Sequence, residues 1–299
     1  MFLITLLCSE VKILSILTAI FQAIGQVLTY IFPLSESGHS AIFHDFSGRF
    51  TGSCSELTGL IHIGIALGII AAFWKVFLKL IFEFVLTGKE LFTKKLDLKK
   101  TANSRKFMYY TFIPYIFMLA YLIPVGSTNI YGVLHAYAYD GNLVSEGICF
   151  LVDAVLLLFA YFRLKKNEKG TQLSLPAVLV VGCAVFFALP VSGLSLCAIV
   201  IAILALFGTN PKIAFRYFIS LSAPILLVQG IIEIATCVSY VNIFAGIIGV
   251  VIASALTFIA SKFLLQIVKS NSLNYFSYYG FTVGGLTLII GIIEIIVRK

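Results

Sequence analysis

The chain has 299 residues, 60% of them apolar and only 11% charged, and its mean hydropathy is +1.06. A soluble domain carries about a quarter of its residues as charges, so this composition excludes a water-solvated globule. It predicts an all-α integral membrane protein, a polytopic helical bundle. The net charge of +8 lies mostly in short connections between apolar runs. That is the distribution of cytoplasmic loops, and it argues against a nucleic-acid partner.

The N-terminal stretch MFLITLLCSEVK has no basic region ahead of its apolar run and no small-residue cleavage site, so it reads as part of the mature chain. A spanning helix needs about 20 apolar residues. Windows of that kind cover residues 13–32, 58–86, 107–125, 146–164, 213–235, 243–261 and 275–297. Residues 175–207 are also apolar, but LPVSGLS breaks them near the centre, which brings the count to about seven to nine membrane segments.

Residues 89–106 hold seven basic side chains against two acids, and residues 163–169 hold four basic ones. Residues 126–144 hold no Lys or Arg. The positive-inside rule makes the first two cytoplasmic and the third external. The loop 33–56 then faces outward if 58–86 crosses once. Six cysteines show no CxxC or metal spacing and read as small hydrophobes in apolar surroundings.

The break at Pro33 and the break at Pro190 share one pattern. Each reads apolar run, Pro, an aliphatic residue, Ser, then a small or polar cluster: FPLSESG and LPVSGLS. Interrupted apolar segments in corresponding positions of two halves point to inverted repeats whose broken, re-entrant helices meet and form a site. The expected organisation is a single membrane domain, 1–299. Repeat 1 covers about 11–125, repeat 2 about 174–297, and the basic cytoplasmic loop is 87–106. Irregular backbone at membrane depth is tolerated only when it is buried in protein or lines a cavity.

The two loops carry donors suited to an anion. Ser35, Ser37, Ser40 and Gly38 offer hydroxyls and amide N–H groups at a helix terminus, a natural cradle for phosphate. His39 can donate a proton to a leaving oxygen or attack phosphorus. Ser192 and Ser195 add donors from the second loop. The plainer reading of either loop alone is that Ser and Gly allow close helix packing. His62 reads as a hydrogen-bonded interior histidine. Asp153 and Glu233, acids inside apolar spans, are functional suspects by default.

These loops resemble motifs of the undecaprenyl diphosphate phosphatase family (bacitracin-resistance type). The family's first motif is roughly E/Q-G-x-T-E-F-L-P-x-S-S-S-G-H, and QVLTYIFPLSESGH lies on it without a gap. Its second motif, P-G-T-S-R-S-G, is similar to PVSGLSL. LIHIG, AFRYFISLSAP and SKFLL followed by Leu273, Phe276 and Tyr279 are similar to further family segments, so the likeness covers nearly the whole chain.

The resemblance implies hydrolysis of a polyprenyl diphosphate to the monophosphate, in lipid-carrier recycling for cell-wall synthesis. The site would face the outside of a bacterial plasma membrane. The implied catalytic group is His39, Ser35, Ser37, Glu36 and Gln26, with Gly38, Ser192, Ser195 and Arg216 binding phosphate. The implied partners are a polyprenyl phosphate lipid and membrane lipids, with room for a homodimer.

Four residues depart from the pattern: Tyr30 for the motif glutamate, Glu36 for the central serine, Gly193 for a serine and Leu194 for the arginine. Arg would clamp phosphate bidentately, which Leu cannot imitate. A second reading therefore stands beside the first, a catalytically silent homologue that binds or translocates the lipid. A divalent cation, Mg or Ca, bridging Glu36 to phosphate is a further option.

Overall fold

A computed structural model describes residues 2–47, 55–94, 102–138, 142–166, 170–236 and 242–297. Cys54, Cys237, residues 95–101 of the basic loop, residues 167–169 and the terminal Arg298-Lys299 lie outside them, as do the side chains of Cys8 and His44.

Helices dominate. In chain order they are α1 (Phe2–Ile31), α2 (Glu36–Ser47), α3 (Ser55–Ala72), α4 (Trp74–Phe92) and α5 (Asn103–Met118). A short 3-10 turn (Leu119–Leu122) leads to the hairpin of β1 (Pro124–Val125) and β2 (Thr128–Asn129). Then follow α6 (Ile130–Ala138), α7 (Val144–Lys166), α8 (Leu175–Ala188), α9 (Leu196–Leu206), α10 (Pro211–Thr236), α11 (Ile243–Lys269) and α12 (Asn274–Val297). Among the described residues four helices, α7, α10, α11 and α12, are long and apolar enough to cross a membrane. Their outward faces carry large apolar side chains such as Phe159, Ile231, Ile259 and Ile289, as contact with lipid requires.

The expected single crossing over 58–86 is not one helix. The chain bends by 88° between α3 and α4 at Phe73. No Pro or Gly marks the bend. Phe73 packs edge-on against Phe215 in the core, with ring centroids 5.2 Å apart, while α4 beyond it places Lys75 and Lys79 on one face. The expected crossing over 107–125 is also shortened. Its helix stops at Met118, and the chain turns through the 3-10 segment into the β hairpin.

The centre of the bundle is α9, buried from Leu196 through Ala205. A helix apolar on every side belongs in a core. Around it pack α7, α8 and α10, while α3 is clasped between α10 and α11 and α7 lies along α12. Small residues bring these backbones close, as membrane interfaces do. A Cβ on Gly68 of α3 would come within 2.5 Å of the Ser254 carbonyl oxygen of α11. Within α10, Pro224 has no N–H for the carbonyl four residues back. The Tyr115 hydroxyl lies 2.9 Å from the Leu221 carbonyl oxygen and 3.4 Å from that of Ser220, the acceptor that Pro224 frees, and donates to this pair.

The interrupted stretch 175–207 is a helical hairpin. Thr171 pairs with Thr209 across its open end, where Thr171 N–H donates to Gly208 and Asn210 N–H donates to Thr171. The LPVSGLS break is therefore the hairpin's tip.

Candidate active site

Helix α1 ends where Pro33 cannot donate a backbone hydrogen bond, and the chain restarts as α2 at Glu36. Ser35 makes the corner with a left-handed φ of 61°. Its Oγ accepts the Gly38 N–H at 3.1 Å, the N-terminal cap expected of a serine in that place. Its carbonyl accepts both the His39 N–H at 3.2 Å and the His39 Nδ1 hydrogen at 2.8 Å. A carbonyl oxygen can only accept, so Nδ1 carries the proton, and a neutral His39 then keeps Nε2 as its basic nitrogen. Nε2 lies 2.6 Å from the Tyr279 hydroxyl. The imidazole stacks on the Tyr279 ring and meets Phe150 edge-on.

The second loop builds the opposite wall. Ser195 caps α9, accepting the Ala198 N–H, while its own N–H donates to Asp153 Oδ2 at 2.6 Å. Asp153 is buried on α7 and sets the height of that cap. Ser192 Oγ is buried with no hydrogen-bond partner among the described residues.

The tips of the two broken units touch. Gly193 N–H donates to Ser37 Oγ at 3.1 Å, and a Cβ on Gly38 would come within 3.0 Å of the Gly193 Cα. Gly193 has φ +95°, and a Cβ there would lie 2.8 Å from the Cys149 Cβ and 2.9 Å from the Glu146 Cα. Glycine, the departure from the family pattern at this position, is what the local backbone requires. Two helix N-termini, those of α2 and α9, thus converge on one place, and their dipoles favour negative charge there.

Glu36 turns back toward α1. Its Oε1 accepts the Gln26 amide at 3.0 Å, and it lies close enough to act electrostatically on Tyr30 and His62. Tyr30, in the place of the family's glutamate, has a buried hydroxyl with no hydrogen-bond partner among the described residues. His62 is the interior histidine its apolar helix suggested, with Nδ1 2.7 Å from Glu233 Oε2. Gln229 donates to the other oxygen of Glu233.

The structure therefore brings together Gln26, Ser35, Glu36, Ser37, Gly38 and His39 with the Ser192 and Ser195 loop. Arg216 is not among them. It sits near the start of α10 and lines a separate cavity with Lys75, Lys79 and Lys106. Leu194 packs against the apolar core and presents no charge. Among the described residues no group of three or more His, Cys, Asp or Glu could hold a metal ion. Sequence reasoning missed Tyr279 and Phe150 as partners of His39. The only signal was Tyr279's place in the C-terminal family segment.

The family described as "Bacitracin resistance protein BacA" matches residues 19–286. The chain is 30% identical to an undecaprenyl-diphosphatase of Methanosphaera stadtmanae, over 94% of this chain and 99% of that protein. It is 27% identical to one of Halothermothrix orenii, over 93% and 98%. It is 26% identical to undecaprenyl-diphosphatase 2 of Halalkalibacterium halodurans, over 90% and 93%.

Proposed function

We propose, from the premise that this chain belongs to the bacitracin resistance protein BacA family, that it hydrolyses a polyprenyl diphosphate to the monophosphate and inorganic phosphate. The observation that carries this reading is the hydrogen bond from Gly193 N–H to Ser37 Oγ, which closes two donor-rich helix N-termini around one space. The terminal phosphate is held at that junction by the hydroxyl of Ser192 and by the positive dipole ends of α2 and α9. His39 Nε2 leaves Tyr279 and accepts a proton from the attacking water. Water's oxygen bonds to the terminal phosphorus, the bond from that phosphorus to the bridging oxygen breaks, and the lipid monophosphate departs.

Broken helices α1–α2 and α8–α9 meeting tip to tip support the inverted-repeat reading, with halves near 11–125 and 174–297. The shorter apolar helices, residues 16–31, α8 and α9, support a total of seven to nine segments as read from the sequence. The distribution of basic residues supports a site facing the external side of the membrane.

The acid at Glu36 is restrained rather than aimed at the phosphate. A carboxylate about 4 Å from a phosphate charge is repelled by roughly 4 kcal/mol at an effective dielectric of about 20, and Gln26 holds it back toward α1. Gln26→Ala is expected to raise KM by about tenfold, well inside that repulsion. Adding Glu36→Ser is expected to restore it. Steady-state kinetics of the single and double variants check this, and a KM that stays raised in the double variant refutes the restraint.

The experiment for the whole reading is phosphate release from a long-chain isoprenoid diphosphate by the purified protein in micelles. One phosphate and one lipid monophosphate per turnover are expected. Retained binding of the monophosphate without any release would establish the silent homologue instead.

A further inference from the structure

At the far end of α8 from the 190–195 loop lies a cavity of about 560 Å³ between α4, α5 and α10. Helix α8 has 14 residues, which separates the two places by about 21 Å along its axis. Four cations line the cavity: Lys75 and Lys79 of α4, Lys106 of α5 and Arg216 of α10. No acid lines it. The acids closest in sequence on α4 are already committed: Arg105 holds Glu90 at 2.6 and 3.1 Å and Glu83 at 3.3 Å, and Ser104 donates to Glu83 at 2.6 Å. Four like charges gathered from three helices around one space await an anion.

The helix that supplies two of these charges is placed for a membrane surface. After the 88° bend, α4 runs across the end of α3. Trp74, Leu78, Ile81, Phe82 and Val85 are all exposed on it, between 53% and 65% of their full surface. Spacings of four, three, one and three residues put them on one stripe, with Lys75 and Lys79 on a neighbouring one. A helix with such faces lies in the interface, its apolar side among acyl chains and its lysines at the level of the headgroups. Its cationic stripe is the wall of the cavity, and basic pockets between membrane helices bind phosphorylated headgroups.

We propose that this cavity is a second anion site, which takes the phosphate-bearing head of an anionic membrane lipid at the face opposite the paired loops. The inference stands independently of the hydrolysis reading. Arg216 contributes to this site instead of to the catalytic one, and the lipid helps hold α4 against α5 and α10.

The test is native mass spectrometry of the purified full chain, titrated with short-chain phosphatidylglycerol, short-chain phosphatidylcholine or inorganic phosphate. Phosphatidylglycerol is expected to bind, phosphatidylcholine is not, and inorganic phosphate is expected to compete only weakly. Lys75→Gln/Lys79→Gln/Arg216→Gln should weaken phosphatidylglycerol binding by about 10²-fold, given the attraction of each basic residue for anionic lipid. A control variant, Lys89→Gln/Lys94→Gln, removes charge from the end of α4 and the turn after it, outside the cavity, and should leave binding unchanged. Three outcomes each overturn the proposal: equal loss in both variants, no loss in the triple variant, or inorganic phosphate binding as tightly as the lipid. Thermal unfolding of the variants separates lost binding from lost folding.

Discussion

His39→Ala is expected to lower phosphate release from a long-chain isoprenoid diphosphate by about 10²–10⁴-fold, the usual contribution of a positioned proton-transfer group. The reason is the geometry of its two nitrogens. Nδ1 is committed to the Ser35 carbonyl at 2.8 Å, so the imidazole cannot flip without losing that bond, and Nε2 faces the Tyr279 hydroxyl at the mouth of the paired loops. His39→Gln, which keeps a polar side chain but no titrating nitrogen, should be as inactive as alanine. Turnover of either variant within about threefold of wild type would remove His39 from the chemistry, since general acid–base groups cost far more than that.

Gly193→Ser carries the second large effect, and its direction is opposite to what the family pattern suggests. Serine is the residue the pattern has at this position, yet here it should harm. A Cβ at Gly193 meets the Cys149 Cβ at 2.8 Å and the Glu146 Cα at 2.9 Å, and φ is +95°. The loop must back away from α7, which breaks its N–H bond to Ser37. A displacement near 1 Å at a positioned site costs about 10²-fold in rate, and the strained backbone adds about 1–3 kcal/mol of destabilisation. Kinetics together with thermal unfolding in detergent check both numbers. A variant as active and as stable as wild type would mean that the tips do not meet as described.

Much of the site was legible from residue order. Pro33 and Pro190 stop helices for a reason intrinsic to proline, and the serines after them cap the helices that restart. Both breaks therefore announce N-termini, which is the feature that attracts an anion. The pairing of the two tips was suggested by their shared pattern. The contact itself, Ser37 to Gly193, depends on a left-handed glycine that only the backbone reveals.

Other parts could not be read in one dimension. Lys75, Lys79 and Glu83 follow Phe73, but the apolar residues between them keep the run long enough that a window sees one crossing where the chain bends by 88°. The anchoring of Phe73 on Phe215 is a contact across the fold. Arg216 falls in a segment similar to the family's, but a motif gives no depth along a helix, and the residue lies among lysines in another cavity. Tyr279 reaches His39 from the C-terminal helix. The bond from Gln26 to Glu36, ten residues apart, is likewise a side-chain contact that residue order does not show.

The claim that the two loops form one site is tested most directly by a double-mutant cycle on kcat/KM between Ser37→Ala and Ser192→Ala. Ser192→Ala should cost about tenfold or more, as loss of a charge-assisted hydrogen bond to phosphate does, and Ser37→Ala about as much, through the Gly193 loop it holds. Removing Ser37 frees the Gly193 loop, so Ser192→Ala should then add little, and the double variant should match Ser37→Ala within about twofold. Such coupling is what contacting residues show. Fully multiplicative losses would contradict the account and return the two loops to separate roles.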